Sequence, residues 1–362
     1  MSGTTAPVGF DSRDVFGGES GIGRGRLPDW VPYALAGASL AITFLILTLL
    51  DQVSAVRLVI GTALISGISI YAVSRAVESP RQAKDRLVTV SIASAFVFAV
   101  LPLASLLWTV VDRGMARFDT TFFTESARNV VGEGGGAAHA IWGTLVITGL
   151  AAAISVPIGI MAAIYLVEYG KGKRLARYLT FFVDVMTGIP SIVAGLFAYA
   201  VFALIFGPGI RLGVMGSVAL TVLMIPIVIR SAEEMLKIVP DHLREASYAL
   251  GTPKWRTIVK VVLPTALAGM ITGVMLAVAR IIGETAPLLV TAGVIDSTNM
   301  NPFSGRMETL PVYAYFEYKT PGIPQDASYD RACAAALTLI VIVLLLNLIA
   351  RLFYRRFGTE IR

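Results

Sequence analysis

Residues Arg244–Pro264 read REASYALGTPKWRTIVKVVLP, a polar and basic stretch set between two long apolar runs. Such flanks make it a loop on a membrane surface. Asp241–Leu250 carries Leu243, Ala246, Ser247 and Leu250 on one side at helical spacing, and Gly251 follows, so a short helix closed by a glycine is predicted. Thr252 offers an N-cap and Pro253 a first-turn residue for a second helix. That helix places Trp255, Ile258, Val259 and Val262 on one face and turns Lys254, Arg256 and Lys260 largely away. The stretch reads as a helix–glycine–helix knob built to plug into another body.

Composition sets the surroundings of the knob. The chain has 362 residues, 56% of them hydrophobic and only 15% charged, with a mean hydropathy of +0.74. A soluble domain is rarely so apolar, so an all-α, polytopic membrane protein is expected. The net charge of +6 would suggest nucleic acid if the basic residues shared a soluble face. They sit instead at the ends of apolar runs, as the positive-inside rule places them, so the lipid bilayer is the expected partner and nucleic acid is not. Cys333 is the only cysteine, and His139 and His242 are the only histidines. Disulfides and cysteine- or histidine-based metal sites are therefore not expected. Residues 1–28 are rich in Gly, Ser and charge and are predicted to form a disordered cytosolic tail. They do not resemble a signal peptide, because the next apolar run is too long and no cleavage site follows it.

A membrane span takes roughly 20 apolar residues, and eight candidates meet that description. They are Val31–Leu50, the short Leu58–Val73, Leu87–Val111, Ile141–Tyr165, Tyr178–Phe206, Leu212–Ile229, Thr265–Val290 and Ala334–Phe353. Basic residues fix the orientation. Arg75, Arg81, Lys84 and Arg86 flank one loop, and Lys171, Lys173, Arg174 and Arg177 another; Arg230, Lys237 and the knob fill a third, and Arg351, Arg355, Arg356 and Arg362 the tail. Alternate loops put all four groups on one side, the cytosol, together with both termini. Asp112–Ala140 and Ile295–Arg331 then lie outside, the second with room for a short helix around Val312–Glu317.

Several motifs are excluded. Gly132–Ala137 formally fits a dinucleotide fingerprint, but no strand precedes it, and it reads as a flexible hinge. Gly170-Lys171 is followed by Gly172, so there is no P-loop and the chain cannot hydrolyse ATP itself. No nucleophile–base or metal set indicates an enzyme, and no cofactor is expected on this chain.

Charges inside the spans remain. Arg280 lies about 15 residues, roughly 22 Å, into the seventh segment, with Glu284 four residues on and so on the same predicted helical face. Either charge would be costly against lipid, so both are expected to face an interior path or partner. One reading is an ion pair that fixes one helix against another. The other is that the planar fork of Arg280 meets a tetrahedral oxyanion. Glu284 would then neutralise Arg280 in the empty path and accept a hydrogen bond from a protonated oxyanion. Phosphate near neutral pH carries a proton and sulfate does not, which favours phosphate. Asp184 is a weaker candidate, either lining the cytosolic mouth or capping or pairing helices. Gly188, Pro190 and Gly195 either loosen the fifth helix or pack it. Glu233 and Glu234 read as a solvated face, and neither histidine carries a functional case.

Glu245-Ala246-Ser247, Gly251 and Val261-Val262-Leu263-Pro264 resemble the EAA loop of ABC-importer permeases. That family's pattern is Glu-Ala-Ala, three residues, Gly, nine residues and Ile-x-Leu-Pro; Ser247 and Val261 are mild departures. The resemblance implies that Glu245, Ala246, Ser247, Leu250, Gly251, Leu263 and Pro264 couple to an ATPase subunit. Ala279–Leu288, Ala162–Gly170, Gly188–Gly195, Ile225–Arg230 and Leu345–Arg351 are similar to phosphate permeases of the PstA type. The similarity runs from about residue 87 to 357, with a type 1 ABC transmembrane domain at about 140–350 and the coupling loop at 231–264. It implies a phosphate importer in the cytoplasmic membrane whose path residues are Arg280, Glu284 and Thr285. It also implies a related PstC-type permease subunit, a cytosolic ATPase dimer holding ATP and magnesium, and an extracytoplasmic phosphate-binding protein. A permease for another oxyanion (sulfate or molybdate) and an ATP-independent channel or carrier are the alternatives. The helix pair at 29–86 departs from the family pattern and reads as a lipid-facing brace or a regulatory contact.

Overall fold

The computed structural model describes residues 27, 28, 30–130 and 132–357. The tail expected over 1–28 therefore falls outside the described residues except for Leu27 and Pro28, and so does Arg362. Among the described residues, regular structure is helical throughout. Among the described residues seven helices are long and apolar enough to cross a membrane, and eight spans result if one bent helix pair is counted as a span.

The chain divides into two compact units after Leu107. In the first, α1 (Val31–Leu49) packs on α2 (Ala55–Val77), and α3 (Pro80–Met115) begins. With 23 residues, α2 is longer than its sequence suggests and is a full span. Beyond its end lies Glu78, whose carboxylate is buried. It accepts from Leu27 N at 2.8 Å, Ser74 Oγ at 2.6 Å, and Arg86 Nε and Nη2 at 2.8 Å each. The Arg86 guanidinium and these further donors outweigh burial and hold the carboxyl at about 2.

The second unit is built around α8 (Gly213–Ile238), which packs on α5 (Ala138–Ile164) and α11 (Leu263–Ile281). Ile147, Ala151, Leu220, Met224, Ala277 and Ile281 fill the centre of that contact. A second cluster, with Ala163, Leu236, Val262 and Met270, continues it toward the knob. A third, with Phe122, Ala140, Leu310 and Ala335, joins α5 to α4 (Thr120–Thr124), α13 (Leu310–Lys319) and α14 (Gln325–Phe357).

Two predicted spans are not single rods as expected. Tyr178–Phe206 is broken into α6 (Arg174–Thr187) and α7 (Ser191–Phe206), bent by 108°. The cause is Pro190, which lacks an N–H and whose ring clashes with the carbonyl four residues earlier, next to a flexible Gly188. Gly195 takes the packing role, because a Cβ there would lie 2.6 Å from Pro287 Cα. The seventh segment ends early, at Ile281, and Ala286–Thr291 forms a separate short α12. Pro287 is again the obstacle, opposing the carbonyl of Gly283. At its other end the same segment starts earlier than expected. Lys254–Thr257 (α10), a π-turn at Ile258–Val262 and α11 form one rod, Lys254–Ile281.

The Gly-rich stretch is not free to hinge in the way its sequence suggests. Arg331 Nη1 donates to Gly132 O at 2.8 Å and Gly134 O at 3.3 Å, and Arg117 Nη2 donates to Gly135 O at 2.5 Å. Two arginines, one from the turn after α3 and one from α14, thus pin its carbonyls.

Candidate functional site

The knob comes first because its geometry reaches furthest. Its first arm is α9 (Asp241–Ala249), ended by Gly251 at φ 74°. Thr252 does not cap the second arm; its N–H donates to Ser247 O at 3.2 Å, and Pro253 occupies the cap position. The π-turn shifts the register of that arm, so its inward side is Thr257, Ile258 and Val262, while Trp255 and Val259 are exposed. Ser247 Oγ and Thr257 Oγ1 lie 2.8 Å apart and tie the two arms together. That contact gives the serine at 247 a structural reason.

Arg244 anchors the knob and is almost fully buried. Its Nε and Nη2 donate to Glu168 Oε1 at 3.1 and 2.9 Å, its Nη1 to Val239 O and Asp241 Oδ1 at 2.6 and 3.1 Å, and its Nη2 also to Leu236 O at 3.0 Å. Glu168 lies in a π-turn, Tyr165–Tyr169, that continues α5. Lys254 reaches Glu168 O and sits 5.0 Å over the Tyr169 ring. The anchor leaves Glu245, Ala246 and Leu250 exposed, with Leu250 at 86%. Leu263 is half-buried and Pro264 exposed at the start of α11.

Arg280 and Glu284 do not share a helical face, because α11 ends at Ile281 and Glu284 sits in the turn after it, with its N–H on Ile281 O at 3.1 Å. Among the described residues they form no ion pair with each other or with any other side chain. Both nevertheless line one cleft of about 280 Å3. Its walls are Met186, Thr187, Ile189, Pro190 and Ser191, where α6 breaks into α7, and Leu223, Pro226 and Ile227 of α8. Thr285 lies beside Glu284 but does not line the cleft. Asp184 does not line it either: it pairs with Arg230, which also holds Glu233 at 2.8 Å. Glu233 in turn takes Lys237 at 2.7 Å, so this carboxylate is part of a charge ladder rather than a solvated face.

A pair that sequence reasoning passes over lies at the other end of α5. His139 Nε2 is 3.4 Å from Glu308 Oε2, both side chains being 1% exposed. Burial raises the Glu308 carboxyl, while His139 opposes that rise. The two residues are 169 positions apart in sequence, and no local spacing joins them.

The sequence profile of the family described as binding-protein-dependent transport system inner membrane component matches residues 155–362. The phosphate transport system permease protein PstA 1 of Mycobacterium tuberculosis (strain CDC 1551 / Oshkosh) is 46% identical over 273 residues, 75% of this chain and 88% of the relative. PstA of Yersinia pestis is 39% identical over 276 residues, covering 76% and 92%. Among solved structures, an inward-facing MetNI methionine ABC transporter superposes with a TM-score of 0.50 at 23% identity, over 60% of this chain and 94% of that one. A bacterial alginate ABC transporter in complex with a pentasaccharide-bound periplasmic protein gives 0.53 at 15% identity, over 76% and 96%. These two likenesses are of fold alone.

Proposed function

The chain belongs to the PstA family of phosphate transport system permease proteins, and on that premise we infer that it carries inorganic phosphate into the cell through the cleft at Arg280, powered by ATP hydrolysed on a partner. It is a multi-pass membrane protein. In this reading both termini and the knob face the cytosol, in line with the basic residues at the ends of the spans. A PstC-type subunit completes the membrane pathway, two copies of a cytosolic ATPase bind ATP and magnesium, and an extracytoplasmic phosphate-binding protein delivers the substrate.

The observation that carries the reading is the convergence of Arg280 and Glu284 on one cleft at the broken helix. The Arg280 fork offers two parallel N–H donors to a tetrahedral oxyanion. Glu284 accepts the proton-borne hydrogen bond of phosphate and repels sulfate, which has no proton to give. Coupling runs along the Lys254–Ile281 rod. The ATPase pushes on the exposed Glu245, Ala246, Leu250 and Gly251, with Ser247 tying the two arms together behind them; Leu263 and Pro264 lie on the rod itself. Because Arg280 is near the far end of that rod, displacement of the knob moves Arg280 against the Gly188–Pro190 elbow. Asp184 and Arg230 clasp the elbow helix to α8 beside the cleft.

Labelled-phosphate uptake in phosphate-starved cells lacking the gene tests this, with sulfate as competitor and membrane levels measured. The wild type should restore uptake, while Arg280→Ala and Glu245→Lys should insert and fail. Glu284→Gln should lose discrimination against sulfate. Full competition by sulfate in the wild type would refute the substrate.

A further inference from the structure

Two arginines from connecting segments meet at Gly293, away from Arg280. Gly293 follows α12 at φ 76° and has no Cβ. A Cβ placed there would meet Arg211 Cδ at 2.9 Å, Arg211 Nη1 at 3.4 Å and Arg306 Cδ at 3.4 Å. Both arginine stems therefore crowd one point. Arg211 comes from the connection between α7 and α8, Arg306 from the loop before α13.

The backbone holds them there. Met307 N donates to Ala292 O at 3.2 Å and Val214 N to Pro302 O at 2.8 Å, stitching the loop to α12 and to the start of α8. Asn299 Nδ2 clamps Ser304 O at 2.6 Å and Arg306 O at 2.8 Å. Among the described residues, neither guanidinium has a carboxylate within ion-pair distance, and neither donates to a carbonyl of α12. They are thus neither a salt bridge nor a helix cap. Asp296 and Glu308 are the acidic residues nearest to Arg306 in sequence, and the Glu308 carboxylate turns instead to His139. Two arginine side chains packed against one point, neither of them in an ion pair, favour an anion there. The planar fork of a guanidinium matches the acceptor oxygens of a tetrahedral oxyanion.

We propose that Arg211 and Arg306 form a receiving site for inorganic phosphate at the outer end of the path, upstream of Arg280. The orientation this needs rests on the function inferred above. Phosphate released outside is held by the two forks, then passes along the segment that leads back through α12 to Glu284 and Arg280. Gly293 suits the site, since its φ of 76° disfavours other residues and an added Cβ would crowd Arg211.

Equilibrium dialysis of labelled inorganic phosphate against the assembled transporter in nanodiscs, without binding protein, tests the site. Paired Arg211→Gln and Arg306→Gln changes should weaken binding about tenfold, and paired Lys replacements, which keep the charge but lose the fork, should fall between the Gln pair and wild type. Docking of the phosphate-binding protein, measured separately, should not change. The proposal is overturned if the Gln pair binds phosphate normally, if the Lys pair is no better than the Gln pair, or if docking weakens in step with phosphate binding. The last result would assign the arginines to a protein surface. Arg280→Gln serves as the control. Normal uptake by it would remove the inferred path, whereas its failure beside a fully active Gln pair would remove only the receiving site.

Discussion

Arg244 and Arg280 lie at opposite ends of one working region and are used in opposite ways. Every nitrogen of the Arg244 guanidinium is committed to Glu168, Asp241 or the carbonyls of Leu236 and Val239. Arg280 has no such partner among the described residues and faces a cleft with Glu284 beside it. A buried arginine saturated by its own chain fixes shape. One held at a cleft with its donors uncommitted is available to a passing anion. The knob therefore owes its rigidity to the same chemistry that the cleft leaves open for substrate.

The sharpest way to break this comparison is to remove both charges in turn. Arg280→Gln should leave membrane levels unchanged and cut phosphate uptake about 100-fold, the scale of losing two charge-assisted hydrogen bonds. Arg244→Met should act the other way. It strands Glu168 in a buried site, costing about 3 kcal/mol of stability, visible as a lower thermal midpoint and less protein in the membrane.

Glu78 and Arg86 extend the comparison to the first unit. Because the folded carboxyl is held at about 2, below its ordinary 4.5, it contributes stability above the ordinary value. That contribution is lost as the pH falls from 4.5 through 2. Acid denaturation of wild type should show this loss, and Glu78→Gln should flatten it. Ser247→Ala is the mildest change, removing only the hydroxyl pair with Thr257. It should cost about 1 kcal/mol and leave uptake per molecule unaltered.

The knob was legible because its signals are local: an amphipathic turn, a glycine at a left-handed position and basic flanks. Its anchor was not, since Glu168 lies 76 residues from Arg244 and nothing near either residue announces the other. The spans were legible as apolar runs, but their breaks were only half so. Gly188 and Pro190 marked a weak point without giving the 108° turn. The shared face expected for Arg280 and Glu284 failed through Pro287, three residues beyond Glu284, which ends the helix between them. That they still meet at one cleft depends on the tertiary fold, where the α6–α7 elbow supplies the opposite wall. The Arg211–Arg306 pair was illegible for the same reason, as only the folded loop brings the two together at Gly293.

The most direct measurement compares Arg280→Lys with Arg244→Lys, taking phosphate uptake and the amount of assembled transporter in the same membranes. Lysine keeps each charge but loses the fork. Arg280→Lys should assemble normally and transport poorly per molecule, while Arg244→Lys should assemble poorly and transport normally per molecule. The reverse pattern, with Arg280→Lys fully active per molecule, would contradict the assignment of Arg280 to the substrate.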